Sequence, residues 1–439
     1  MAPHSTDIDE TLDRAVAAYD IPRTLVSRFD LHETWARPER HTPLTAVYLI
    51  ETDAVHAFVT DRPLDTPQPG HFHATAKRCR AAIFSLQQPL RLAPVAVEKP
   101  WGREIWYTGI EARGVSGVTD GRYTTPLSWV LASAPRHLSG DTSIALLKVL
   151  DPAPEPVLGD LYFELHETKQ EIYVVTRVDR RAWPEGRGAI RFGMNAARRA
   201  LYADDAKFRA AFLDAVREYE AVRRTIDELL DAKRNAAGVA LDTPVPLVLM
   251  QRWLDELDPR LVDNERARRD VMNSFTQMRH LSEGDIVQLP RRFPHALQHG
   301  VRVIELQTPT YERRILSFAQ KVLTQDHWDT EAAVADMRLD IPPPMDPRVL
   351  VEEPDCTIER LVELDELSAQ RVRLAPSARL TLSKLPPYTL CIAISGEITL
   401  GNTTLVGDSA CLIPHSATRR TLVNTGKAEA VCLLSGPGL

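Results

Sequence analysis

The sequence predicts a mainly β protein that carries a block of inserted helices and ends in a second, smaller β domain. Three observations carry this. Short apolar or alternating runs recur across residues 24–60, 144–176 and 285–307. Between the last two, Phe208, Phe212, Val216, Tyr219, Val222, Ile226 and Leu229 recur at steps of three and four, the stripe of a long amphipathic helix. After the proline-rich segment 340–347, short strands return through 356–436, with turn signals at 395–397, 401–402 and 424–426.

Length and composition bound the rest. A chain of 439 residues is too long for one ordinary core, and about two to four domains are expected. The balance of 60 acidic and 53 basic residues gives a net charge of -7. That disfavours nucleic acid as a partner, because phosphate binding needs a concentrated basic face. No apolar run approaches the ~20 residues of a membrane helix, and the acidic start lacks the apolar stretch of a signal peptide. Five scattered cysteines with no C-x-x-C suit a reducing, cytoplasmic setting and argue against disulfides or a thiolate zinc site.

Taken in order, residues 7–19 read as a short amphipathic helix ended by Ile21-Pro22. The segment 24–60 reads as short strands, most clearly the run AVYLI at 46–50. A turn-rich connector at 61–70 precedes His71 and His73, an H-x-H pair read as exposed loop histidines because no carboxylate or third ligand stands nearby. Lys99-Pro100-Trp101-Gly102 reads as a tight turn with a packed aromatic. Residues 144–150 form a buried strand. Strands at 161–166 and 171–176 are expected to pair through a tight turn at Thr168 and Lys169. Helices are expected at 202–231, 246–257 and 262–275, and strands at 285–289 and 301–307. The resulting division is a 1–90 extension, a core from 91–200 and 276–340, a helical insertion at 201–275, and a β domain at 350–439.

One stretch concentrates chemistry. Glu164, His166, Lys169 and Glu171 fall within eight positions. On a strand, Glu164 and His166 point to one side. Glu171, beginning the antiparallel partner, can return to that side, and His295 of the distant Phe293-Pro294-His295 can complete a set. Two imidazoles and two carboxylates suit zinc, iron or manganese, and ligation without thiolates reads as catalytic. Spacing alone leaves an equal alternative, three polar residues on an exposed hairpin.

Residues 159–171 resemble the first cupin motif, with E-x-H where many cupins have H-x-H, and 284–306 resemble the second. More closely, the chain resembles the type I phosphomannose isomerase family. The resemblance rests on Lys99-Pro100-Trp101-Gly102, on the LLKVLD run at 146–151 leading to Glu164-Leu165-His166, and on Lys169-Gln170-Glu171. It rests also on Pro294-His295-Ala296, VIELQ at 303–307 and Thr310 to Arg313. It covers roughly 95–320 well, and 350–439 by architecture.

The resemblance implies a cupin-type β-barrel core, a helical insertion and a degenerate cupin-like domain at the C-terminus. It implies aldose–ketose isomerisation of a sugar phosphate through an enediol, with one divalent metal, zinc foremost and manganese or iron as alternatives. His166, Glu171 and His295 match the family's ligand positions, and Glu164 stands where the family has glutamine. Lys169 and Arg313 are the candidate catalytic residues. Arg313 falls about one residue beyond the family's arginine, and Lys99 and Arg103 are further candidates for a substrate phosphate. The 164–171 connection is shorter than the family's, and residues 1–90 have no counterpart there. Another cupin metalloenzyme, an oxygenase or epimerase, and a non-catalytic sugar-binding protein are the competing readings. The expected partner is a small sugar or sugar phosphate, with no nucleic acid or membrane, for a monomer or homodimer.

Overall fold

The computed structural model describes residues 5–17, 22–343, 346–383 and 386–439. Its strands and helices gather into two compact units, one of Met1–Ala96, Ile105–Lys148 and Asp346–Leu439, the other of Val97–Glu104 and Val149–Met345. Among the described residues no helix is long and apolar enough to cross a membrane.

In the first unit, the strands Arg23–Glu33, Arg40–Glu51 and Ala54–Thr60 form an antiparallel meander. Its inner face packs Val47, Leu49 and Phe58 against Phe72 and Ala76 of the helix Phe72–Cys79. His73 lies on that helix and His71 on the turn before it, both exposed, so no strand presents them as a pair. The N-terminal helix is Ser5–Ala17, and the expected stop at Ile21 lies outside the described residues. The C-terminal strands Ser368–Leu374, Thr389–Ser395, Ala410–Ile413 and Ala430–Gly436 enclose a core that includes Val372, Ile413 and Leu434.

The second unit places the candidate site. One of its sheets holds Ile286–Leu289, Glu171–Val178 and Val301–Gln307 side by side, with Glu171–Val178 in the middle. A second runs Thr276–Leu281, Gly188–Met194, His295–Leu297, Phe163–Leu165 and Arg314–Ser317. One apolar core joins them: Tyr173 and Val175 from the first, Leu165, Ile190 and Leu297 from the second, and Phe208, Phe212 and Tyr219 from a helix. Trp101 is buried in it, the packing role expected of that aromatic. Gly102 closes the turn with φ +143°, and a Cβ there would stand 2.5 Å from the Asp151 carbonyl oxygen. Only glycine fits.

Two expectations are corrected. The strands expected to form a hairpin do not pair: Phe163–Leu165 pairs with His295–Leu297 and Arg314–Ser317, whereas Glu171–Val178 pairs with Ile286–Leu289 and Val301–Gln307. The segment 166–170 crosses between sheets. The carboxylate of Glu312 holds it there by accepting from the N–H groups of Thr168 and Lys169, at 2.9 and 3.0 Å.

The second correction concerns the long helix. It spans Asp205–Ala236, begun by Asp204, whose side chain accepts from the Lys207 N–H. Its buried stripe runs through Tyr219, Arg223, Ile226, Asp227 and Leu230, so Leu229 faces solvent. A buried Arg223–Asp227 ion pair at 2.8 Å occupies the stripe where apolar residues were expected. Further helices cover Leu247–Asp255 and Pro259–Asn273.

Candidate metal centre

The structure brings the four candidate ligands Glu164, His166, Glu171 and His295 together with Lys169 and Arg313. Glu164 sits on the short strand Phe163–Leu165, directly opposite His295 in register. His166 lies just beyond the end of that strand, and Glu171 opens a strand of the facing sheet. The ligand atoms of Glu164, His166 and His295 lie within 4.8 Å of one another. Glu171 Oε2 is 3.5 Å from the Nε2 atoms of both His166 and His295. Glu164 Oε1 is 3.9 Å from His166 Nε2. The two imidazoles, Glu171 and Lys169 are buried.

The hydrogen bonds define which ring nitrogens remain. His166 Nδ1 is 2.9 Å from the Glu312 carbonyl oxygen, and His295 Nδ1 is 2.9 Å from that of Phe293. A carbonyl oxygen can only accept, so each Nδ1 carries the proton and each Nε2 presents a lone pair. Both Nε2 atoms are buried without a hydrogen-bond partner, and so is Glu164 Oε2. Three orphaned lone-pair atoms at one buried point are costly unless a cation takes them. The donor set therefore fits a divalent metal, and its mix of imidazole and carboxylate fits zinc, manganese or iron.

A buried cation already stands in the group. Lys169 Nζ lies 2.5 Å from Glu171 Oε1 and 3.5 Å from Gln307 Oε1. Burial alone would raise the Glu171 carboxyl, but the charge of the Lys169 ammonium beside it outweighs burial and holds the carboxyl well below the usual range. Burial, reinforced by the Lys169 charge, pushes His166 down and favours the neutral, ligating imidazole. Burial, with Glu171 and Glu305 beside it, pushes the Tyr173 phenol up, so it stays a hydrogen-bond donor, 3.3 Å from Glu171 Oε2.

Arg313 stands at the edge of the group. Its Nη1 is 4.0 Å from Glu164 Oε2, its guanidinium lies over the Tyr162 ring at 4.6 Å, and its Nη2 donates to Thr324 at 2.6 Å. Arg314 turns away to Glu167 and Asp336, so of the two neighbouring arginines Arg313 is the one beside Glu164. Lys99 and Arg103 do not join the group; they line a separate cavity. His415, which follows Pro414 as His295 follows Pro294, is exposed in the other unit.

Sequence reasoning missed Glu312, Gln307 and Tyr173. Gln307 stood inside the quoted VIELQ run, and Tyr173 two positions past Glu171 on the same face, so period-2 reading could have found both.

Two sheets around a buried pair of histidines and two glutamates give a mainly β fold with a candidate metal centre between them. The chain has the fold of the mannose 6-phosphate isomerases. It is similar to the mannose 6-phosphate isomerase from Bacillus subtilis, with a TM-score of 0.54 and 14% identity, covering 80% of this chain and 99% of that one. The apo form of the Salmonella typhimurium enzyme gives a TM-score of 0.51 and 12% identity, over 80% and 100%. A mannose 6-phosphate isomerase bound with zinc and yttrium gives 0.50 and 12%, over the same shares. Neither a family model nor a curated protein matches the sequence.

Proposed function

We propose that this chain is a metal-dependent aldose–ketose isomerase acting on a sugar phosphate, with mannose 6-phosphate to fructose 6-phosphate as its reaction. The observation that carries the reading is the pair of buried, partnerless Nε2 atoms facing two carboxylates in a fold shared with such isomerases. Glu164, His166, Glu171 and His295 would hold one divalent ion, zinc foremost. Bound there, the ion would polarise the substrate carbonyl and stabilise the enediolate oxygens.

The chain's own residues supply the rest. Two of the three Lys169 N–H groups face Glu171 and Gln307. The third is free to donate a proton to O1 of the aldose as it becomes the enediol hydroxyl; that proton stays on O1 in the ketose, and the lysine regains its charge by taking the O2 proton released as the C2 carbonyl forms. Arg313, fixed by Thr324 and the Tyr162 ring, offers its remaining N–H groups to the enediolate or the phosphate. Glu312 pins the backbone on both sides of the Thr168–Lys169 peptide, so Lys169 needs no reordering as substrate binds.

The test is a coupled assay of mannose 6-phosphate turnover after loading with zinc, manganese or iron, with metal content measured on the same samples. Turnover that vanishes on chelation and returns with metal supports the reading. A fully metallated protein that turns over nothing with any of the three overturns it, and oxygen consumption by the iron form would favour the oxygenase alternative.

A further inference from the structure

The Lys99–Gly102 turn has no role at the metal group. It lines a second cavity of about 560 Å³, whose other walls come from residues 151–154, 177–181 and 244–248. This cavity lies on the other side of the sheet. Val175 and Val178 both face the core, and a register break between Val175 and Arg177 turns Arg177 the opposite way. Arg177 is six residues from Glu171 along one strand, or ~20 Å.

The cavity lining is partly charged and partly apolar. Asp151 gathers three guanidinium groups, of which those of Arg103 and Arg177 line the cavity. Arg103 donates to its Oδ2 through Nε and Nη2, at 3.1 and 2.9 Å. Arg177 donates to its Oδ1 through Nη2 at 2.9 Å, and Arg302 Nε lies 3.8 Å from the same oxygen. Arg103 and Arg177 thus share the one carboxylate of Asp151, and the exposed Glu98 is another acidic group of the lining. Arg181 and Lys99 are paired with Asp179 and Glu104. The side chains of Arg103 and Arg177 are 52% and 57% exposed. Each keeps N–H groups that Asp151 does not take, and Asp151 holds both forks in place. The apolar part of the lining includes Pro152, Pro154, Pro246 and Val248, and Val248 is 79% exposed, a large apolar side chain left uncovered.

We propose that this cavity binds a phosphorylated organic ligand of nucleotide size, with its phosphates on Arg103 and Arg177 and its apolar body against Pro246 and Val248. The volume lies within the range of small-molecule sites. Arginine forks match phosphate oxygens, and inorganic phosphate alone would leave the apolar part of the lining bare. Gly102 belongs to this arrangement, since its missing Cβ is what lets the turn close on the backbone of Asp151. The proposal stands independently of the isomerase reading.

Calorimetric titration of the metal-loaded full chain with ADP, and separately with inorganic pyrophosphate, tests it. ADP should bind saturably and more tightly than pyrophosphate. Arg103→Gln and Arg177→Gln should each weaken ADP about tenfold or more, with metal content and melting temperature unchanged. Val248→Ser should weaken ADP and leave pyrophosphate as it was. His295→Ala should bind ADP like wild type, which separates this site from chelation at the metal centre. No saturable ADP binding at millimolar concentration, equal binding of the two probes, indifference to both arginine changes, or loss of ADP binding in His295→Ala would each overturn the proposal.

Discussion

Replacing Lys169 by methionine isolates the charge that holds the candidate centre together. In the native protein its ammonium lies 2.5 Å from Glu171, and both side chains are under a tenth exposed. Removing one partner of a buried pair strands the other, at about 3–5 kcal/mol. The metal-free variant should therefore lose about that much stability at neutral pH, and the metal-loaded one less, because a cation on Glu171 restores the missing charge.

The pH dependence gives the sign. In wild type the Glu171 carboxyl is held low, so its contribution is present above the unfolded carboxylate value, about 4.3, and is lost only as pH falls through the lower folded value. In the variant, burial acts without the lysine and raises the carboxyl, so acidification protonates it and relieves the penalty. The gap between the proteins should be widest near neutral pH and should narrow toward about pH 4. Urea midpoints of EDTA-treated protein across that range measure it. A gap below about 1 kcal/mol, or one indifferent to pH, would mean that the pair does not compensate a buried charge.

Three further outcomes follow from the same geometry. His295→Ala removes one of two orphaned Nε2 ligands; metal content by mass spectrometry should collapse while circular dichroism stays native, and retained stoichiometric metal would show the site misassigned. Glu164→Gln takes one negative charge from the ligand set; the metal should bind at least about tenfold more weakly by competition with a chelator, and mannose 6-phosphate turnover per bound metal should rise as Lewis acidity recovers. His415→Ala touches an exposed side chain in the other unit, so metal content, turnover and melting temperature should all match wild type within about 0.5 kcal/mol of stability.

The grouping of the candidate ligands was legible in the sequence because they sit in two short local patterns, E-x-H through K-x-E and Pro-His-Ala. What was not legible was which strand stands beside which. Period-2 reading assigns faces but not neighbours, so Glu164 and Glu171, seven residues apart, looked like two arms of one hairpin. They belong to facing sheets, and this changes how the site is held. On one hairpin the ligands would move together with a single turn. Drawn from two sheets, they keep their separation only while the shared core of Leu165, Tyr173 and Leu297 keeps the sheets apart.

Glu312 was illegible for a different reason. Its carbonyl oxygen fixes His166, and any residue at that position would supply a carbonyl; only its carboxylate on the Thr168 and Lys169 N–H groups depends on side-chain identity. The same residue thus sets the His166 tautomer from its backbone and the Lys169 position from its side chain. Glu312→Ala should therefore loosen Lys169 while leaving the tautomer intact, lowering turnover with little change in metal content. If metal were lost in proportion to turnover, the two roles would not be separable and the crossing segment itself would be what positions His166.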